Sequence, residues 1–181
     1  MQGERTIQDP PPIPIQGPIP GVERRLLGIY LDDHFAGAAA GAALARRVLR
    51  QNRDGSWGER LMWLAEQIEQ DEDTLATVRQ ALDMDGGRLK RVLARLALPL
   101  GQLKLNGRLR GYSPLSRVLE AEGLLAGISA KHRLWAALEH TLAARPELAG
   151  FDLPRPEARA DEQLELVRAF HRDAARRAFV A

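Results

Sequence analysis

Residues 26–48 read LLGIYLDDHFAGAAAGAALARRV, and this stretch decides the class of fold. When successive residues are placed about 100° apart, the larger apolar side chains gather on one side, as in an amphipathic helix. We therefore predict a first helix over residues 22–51, with an Ala/Gly run that lets a neighbouring helix approach closely. Its opposite side is predicted to face solvent and carries Arg24, Arg25, Asp32, Arg46, Arg47 and Arg50.

Three further long helices follow from the same period. The second is predicted over residues 56–82, where Ser56 and Glu59 have the spacing of a capping box. The third begins at Ser113-Pro114, a cap residue followed by proline at the first helical position, and runs to about residue 145. The fourth covers residues 157–179, and a shorter amphipathic helix is predicted over residues 88–98. No segment alternates as a strand would, so the chain is predicted to be all-α.

The lengths of the connections predict how the four long helices are arranged. Short loops join the first helix to the second and the third to the fourth, so each of these pairs is antiparallel. The stretch of about 30 residues between the second and third helices is long enough to travel the length of a bundle, which would make those two helices parallel. That arrangement is a ferritin-like four-helix bundle with a short amphipathic helix in the crossover. A simple up-down-up-down bundle is the other possibility.

The composition excludes several classes of protein and site. The 181 residues are 45% hydrophobic and 28% charged, which is typical of a globular domain. Without cysteine, the chain has no disulfide, thiolate metal site or cysteine nucleophile. The apolar stretch 26–45 contains Asp32, Asp33 and His34, which argues against a membrane span, and no signal peptide is recognisable. We expect a protein of the cytoplasm.

The first 21 residues form a separate segment that holds six of the 11 prolines of the chain. Proline fixes φ and removes a backbone donor, so residues 1–21 are predicted to be an extended, disordered arm ahead of a bundle domain over residues 22–181. The arm is more apolar than an ordinary linker, because it contains four isoleucines that can bind to another apolar surface: Ile7, Ile13, Ile15 and Ile19. One interpretation is an arm that docks on a partner or on a neighbouring subunit. The other is a flexible terminal tail without a binding role.

Each of the four long helices is predicted to direct a polar side chain into the core. Inward carboxylates and imidazoles are the ligands of di-iron and di-manganese sites in bundles, so a site for iron or manganese is one interpretation. Its candidate ligands are His34, Glu72, Glu122 and His171. The alternative is a buried polar network, in which an ammonium replaces the charge of a metal and which adds Tyr30, Asp33, Asp71 and Lys131. No phosphate loop, nucleophile elbow or HExxH zinc motif is present, so no catalytic residue is assigned and an enzyme is neither indicated nor excluded.

Three phrases of the sequence resemble a family of uncharacterised bacterial helical proteins: residues 30–37 (YLDDHFAG), 106–109 (NGRL) and 113–117 (SPLSR). The resemblance covers about residues 24–177 and implies a ferritin-like bundle, without implying an activity. Ferritins themselves hold iron with a Glu-x-x-His pair. This chain instead has Glu-x-x-Glu at residues 66–69 and 162–165, which counts against iron storage or oxidation.

Residues 86–119 hold eight basic side chains and no acidic one, so they form a basic seam on a body of nearly balanced charge. A basic amphipathic helix can bind an anionic membrane surface or nucleic acid. Tyr112 is the only aromatic residue of the seam available for base stacking, so nucleic acid is not expected. The other interpretation of the seam is a crossover whose charges meet the acidic faces of the second and fourth helices.

Two functions are therefore expected from the sequence. The first is a non-catalytic interaction or structural protein, which uses the arm and the seam to hold a protein partner or to self-associate as a homo-oligomer. The second is a bundle that binds iron or manganese and has redox activity on the bound ion.

Overall fold

Four long helices account for most of the chain that the computed structural model describes, which is residues 23–84, 112–143 and 145–180. They are α1 (Arg24–Asn52), α2 (Gly58–Ala81), α3 (Pro114–Leu142) and α4 (Pro154–Phe179), with a 3-10 turn at Pro146–Leu148. These ranges contain no strand, which confirms the prediction of an all-α fold with four long helices. The arm over residues 1–21 and the short helix predicted over residues 88–98 lie outside the described residues.

Contacts at the two ends of α1 fix the directions of the helices. At its start, Arg24 pairs with Asp83, just after the end of α2, at 2.8 Å. At its end, the Asn52 amide donates to the hydroxyl of Tyr112, just before α3, at 3.2 Å. Helix α1 is thus antiparallel to both neighbours, and α2 and α3 run parallel, so the up-down-up-down alternative is wrong. Helix α4 packs against α3 and α2 and closes the ring.

The start of α3 agrees with its prediction. Ser113 is extended (φ −87°, ψ 155°), and its Oγ accepts a hydrogen bond from the backbone amide of Ser116 at 3.1 Å. This satisfies one of the amide groups that the first turn of a helix leaves unpaired. Helix α4 begins at Pro154 rather than at residue 157, because the first helical turn tolerates prolines that lack a donor.

The start of α2 differs from its prediction. Trp57, the residue before α2, has helical torsions (φ −99°, ψ −7°) instead of the extended ones that a cap residue needs, so no capping box forms at Ser56 and Glu59. The Gly58 amide instead donates to the Gly55 carbonyl oxygen at 3.0 Å. This bond winds the α1–α2 turn tightly into the first turn of α2.

Two groups of buried apolar side chains fill the bundle, one in each half. The half near the α1–α2 turn is built around Leu61 and Phe170, and the other around Leu31 and Trp135. On α2, Asp71 lies between a turn that belongs to the first group and a turn that belongs to the second. A buried carboxyl group therefore lies where the two apolar groups meet.

The α1–α2 turn gives a test of the fold. A Cβ at Gly58 would stand 2.1 Å from the Arg53 carbonyl oxygen, and the backbone cannot move aside without unwinding the turn. We expect Gly58→Ala to lower the free energy of unfolding, measured by urea denaturation, by about 1–3 kcal/mol, as at other overpacked sites. Gly55→Ala is the matched control, since its Cβ would lie 3.5 Å from the Asn52 carbonyl oxygen, in ordinary contact. Equal losses in the two variants would contradict this geometry.

Candidate functional site

The Asp71 carboxyl group is 2% exposed and contacts side chains from two other helices. Lys131 of α3 donates to Asp71 Oδ2, and the Gln163 amide of α4 donates to the same oxygen at 2.9 Å. Arg159, also of α4, pairs with Asp71 Oδ1 at 2.5 Å. These four residues form what we call the Asp71 cluster. Because two cations and an amide surround the carboxylate, its charge is balanced by the protein itself.

The ammonium of Lys131 responds to this environment in two opposite ways. Burial lowers the pKa of Lys131 from its ordinary value, while the Asp71 carboxylate favours the charged form and opposes the shift. Lys131 also donates to the Gln163 amide oxygen at 2.5 Å, so the amide bridges cation and carboxylate. The pairing of Asp71 with Lys131 agrees with that part of the predicted polar network, and Arg159 and Gln163 are members that the prediction did not include.

A second buried carboxyl group corrects the predicted solvent face of α1. Asp32 is 5% exposed and pairs with Arg79 of α2 at 2.5 Å, so it lies inside the bundle. The Arg79 guanidinium also stacks over the Phe35 ring, 4.6 Å from its centroid. The prediction of a solvent-facing Asp32 is wrong because helical periodicity places a residue by its angle alone and does not account for a cation that a neighbouring helix supplies.

The third buried carboxyl group is Glu120 rather than Glu122. Glu120 is 3% exposed and pairs with Arg47 of α1 at 2.7 Å, while the Tyr112 hydroxyl donates to its other oxygen at 2.7 Å. Burial is the main cause that raises the pKa of Tyr112 to about 12, so its hydroxyl remains a donor at neutral pH. The side chain of Glu122, about 200° further round the helix, is 53% exposed. The prediction of an inward Glu122 is wrong, since the buried stripe passes through Val118, Ala121 and Leu124.

Of the four candidate metal ligands, the structure brings two together. His171 Nε2 lies 3.3 Å from Glu122 Oε1, across α3 and α4 and near the surface. His34 packs edge-on against Tyr30 with ring centroids 4.5 Å apart, and burial lowers the pKa of His34. Glu72 is half-buried, and burial raises its pKa.

Other ionisable residues do not complete this set. Within the ranges that the structure describes, no three His, Asp or Glu side chains are placed so that they could hold one metal ion. Asp33, predicted to join the polar network, is exposed. His132 lies 3.5 Å from Glu157 and 3.3 Å from Asp161, where it links α3 to α4. The four-residue metal site stays a prediction, of which the geometry gathers only the Glu122–His171 pair.

An open groove lies between α1 and α3, and glycines form much of its wall. Gly37 and Gly41 line it from α1, and Gly123 and Gly127 from α3. A Cβ at Gly37, Gly41 or Gly127 would meet no atom within 4 Å, whereas one at Gly123 would come within 3.1 Å of Leu44. On the Ala/Gly run of α1, Ala36 and Ala42 are fully buried, whereas Gly37 and Gly41, together with Gly127 of α3, leave the space that we call the glycine groove.

The floor of the glycine groove is largely apolar. Its volume is about 100 Å³, and the apolar side chains that line it include Ile68, Leu75 and Leu134. Asp71 and Lys131 reach the groove from the Asp71 cluster. Since these two side chains are paired with each other, the groove suits an occupant that is mainly apolar.

Two of the residues that pair with the buried carboxylates could have been predicted from their positions within apolar helical stripes. Gln163 lies on the buried stripe of α4 between Ala160 and Val167, and Arg79 follows Leu75 by one helical turn on the buried face of α2. A polar or charged residue within an apolar stripe needs an internal partner, because burying it alone is unfavourable. A polar residue within the apolar stripe of a helix therefore predicts a buried hydrogen-bond or ion-pair partner, and this criterion selects Gln163 and Arg79.

Comparisons with other proteins give no assignment. No protein-family model matches the chain, and no curated protein or solved structure matches it. No helix in the described ranges is long and apolar enough to cross a membrane. Function is therefore inferred from the buried ion pairs, the glycine groove and the surface charges.

Glu120 and Glu122 form a matched pair for a test. We expect Glu120→Gln to lower the free energy of unfolding by about 1–3 kcal/mol, because it leaves Arg47 without a counter-charge. Glu122→Gln makes the same chemical change on an exposed position and should alter it by no more than about 0.5 kcal/mol. Chemical denaturation of the two variants measures both values, and a larger loss for Glu122→Gln would show that the buried face of α3 is misassigned.

Proposed function

We propose that this chain is a non-catalytic interaction protein built on a ferritin-like bundle. The observation that carries the proposal is the Asp71 cluster, in which Lys131 and Arg159 balance the carboxylate where a metal site in a bundle core would need free ligands. Asp32 and Glu120 are likewise paired with arginines. Carboxylates paired in this way fix how the helices fit together, which leaves the surfaces of the bundle for function.

The ferritin-like part of the proposal is supported by the directions of the helices. Helices α2 and α3 run parallel, and the chain between residues 84 and 112 connects opposite ends of the bundle. One long crossover in the middle of the chain distinguishes ferritin-like bundles from simple up-down bundles. The resemblance of residues 30–37 and 113–117 to the bacterial helical family supports the same fold.

The glycine groove is the surface that suits a partner segment, and its proposed occupant is the proline-rich arm of a second copy. Residues 10–21 of the arm carry no charge, which matches an apolar groove. Prolines restrict the free arm, so less conformational entropy is lost when it binds. The glycine walls allow the backbone of an extended segment to approach closely.

We propose the groove of a second copy as the binding place of the arm, because this arrangement gives the homo-oligomer that the sequence predicts. Glu23, the residue before α1, is extended (φ −72°, ψ 95°). The groove begins near His34, about 15 Å further along α1 at 1.5 Å per residue. Exchange of such arms between copies gives a homo-oligomer.

Deletion of residues 1–21 tests this proposal. We expect the full chain to form an oligomer and the shortened chain to be a folded monomer, with masses measured by light scattering after gel filtration. A labelled peptide of residues 1–21 should bind the shortened chain, as measured by fluorescence anisotropy. An unchanged mass together with no peptide binding would overturn the proposal.

Two leucine substitutions on α3 locate the binding surface. Gly127→Leu fills the glycine groove and should weaken peptide binding at least tenfold, because Gly127 lines open space. Ser129→Leu adds a similar side chain at an exposed position outside the groove and is expected to leave the affinity within twofold. Equal losses in both variants would show that the peptide does not bind in the groove.

The alternative function, a bundle that binds iron or manganese, has one observation in its favour. Glu122 and His171 lie 3.3 Å apart and offer an oxygen and a nitrogen ligand at the surface. Two protein ligands would leave most of the coordination of such an ion to water. The interaction protein is therefore the better-supported proposal.

A further inference from the structure

A polar pocket lies at the end of the bundle where α1 turns into α2, where α3 begins and where α4 ends. Its volume is about 260 Å³, and Trp57 forms part of its wall. Four arginines line it from three helices and the turn, and we call it the arginine pocket: Arg50, Arg53, Arg117 and Arg177. Its acidic residues are Asp54 and Asp173, so four positive and two negative charges give its lining a net charge of +2.

Asp173 and Arg177 largely neutralise each other. Asp173 accepts a hydrogen bond from Trp57 Nε1 at 3.0 Å and pairs with Arg177 Nε at 2.8 Å. The Arg177 hydrogen bond is the main cause that lowers the pKa of Asp173, so this carboxylate is ionised at neutral pH. The excess positive charge therefore lies with the other arginines of the pocket.

No ion pair joins Arg50, Arg53 or Arg117 to a carboxylate in the part of the chain that the structure describes. Arg50 is near the end of α1, where a cation also complements the helix dipole. Arg53 is the C-cap residue of α1, where the dipole likewise favours a cation, but Arg117 lies in the first turn of α3, where the dipole opposes one. Arg117 lies over the Tyr112 ring, 5.4 Å from its centroid, and its Nε is buried without an acceptor.

We infer that the arginine pocket binds the phosphoryl group of an anionic ligand. Guanidinium groups are planar, always charged, and carry paired N–H donors whose spacing matches the oxygens of a phosphate. A phosphate dianion matches the net charge of the pocket and offers several acceptors to arginines that converge from different elements. The site is separate from the glycine groove, so its failure and the failure of the proposed function are distinguishable.

Inorganic pyrophosphate is the probe for this site. We expect it to bind the full chain with a dissociation constant below 1 mM, a value on the order expected for a few charge-assisted contacts, measured by calorimetry. Arg53→Gln and Arg117→Gln should each weaken binding at least tenfold. Arg53 is exposed and pairs with no carboxylate of the described residues, so its variant tests the site even if Arg117→Gln impairs folding.

The control variant is Arg168→Gln, which removes an exposed arginine that pairs with Glu165 outside the pocket. Its dissociation constant for pyrophosphate should stay within twofold of that of the unchanged chain. Equal weakening in all three variants, or binding no stronger than that of chloride at matched ionic strength, would overturn the inference.

A second measurement separates two sources of the phosphoryl group. Vesicles of phosphatidylcholine with added phosphatidic acid present it on a lipid, and phosphatidylcholine alone is the reference. Binding to the mixed vesicles that requires Arg53 and Arg117 supports a lipid headgroup, and binding to pyrophosphate alone supports a soluble phosphate ester. Binding to neither probe would overturn the inference for both sources.

Discussion

An ionised carboxylate in the middle of a helical bundle requires positive charge close by, because removing it from water costs several kcal/mol. Asp71 meets this requirement with Lys131 from α3 and Arg159 from α4. Helices α2 and α3 stand diagonally across the ring, so the Asp71 cluster joins two elements that otherwise have little contact. The two apolar halves of the core are assembled on either side of this connection.

The other buried ion pairs extend the same constraint to every helix. Asp32 and Arg79 join α1 to α2, and Glu120 and Arg47 join α3 to α1. Apolar side chains such as leucine and alanine can pack in several rotations of a helix with similar energies. A buried ion pair disfavours a change of register that separates its partners, because such a change leaves a buried charge unpaired. We therefore expect the apolar core to supply most of the stability and the ion pairs to favour one arrangement of the helices.

The sequence predicted the helices well and the polar core only in part. Apolar periodicity gave a first helix over residues 22–51, close to the observed Arg24–Asn52, and the long connection predicted that α2 and α3 are parallel. The bounds of a helix and the length of a connection can each be predicted from a single segment of the chain. Whether Asp32, Glu120 or Glu122 is buried depends instead on which cation a neighbouring helix places opposite it, and periodicity holds no information on that. The pairing of Asp71 with Lys131 was predictable because both lie within apolar stripes.

A double-mutant cycle on Asp71 and Lys131, with and without added Fe²⁺ or Mn²⁺, tests most directly that the protein's own cations balance the core carboxylate. Asp71→Asn should lower the free energy of unfolding by about 3–5 kcal/mol, because cations remain buried without their counter-charge. Adding Lys131→Met should recover part of the loss, with a coupling energy of about 1–3 kcal/mol, and neither metal should change any member of the cycle. Strictly additive losses, or a metal-dependent gain in the unchanged chain that Asp71→Asn abolishes, would contradict this.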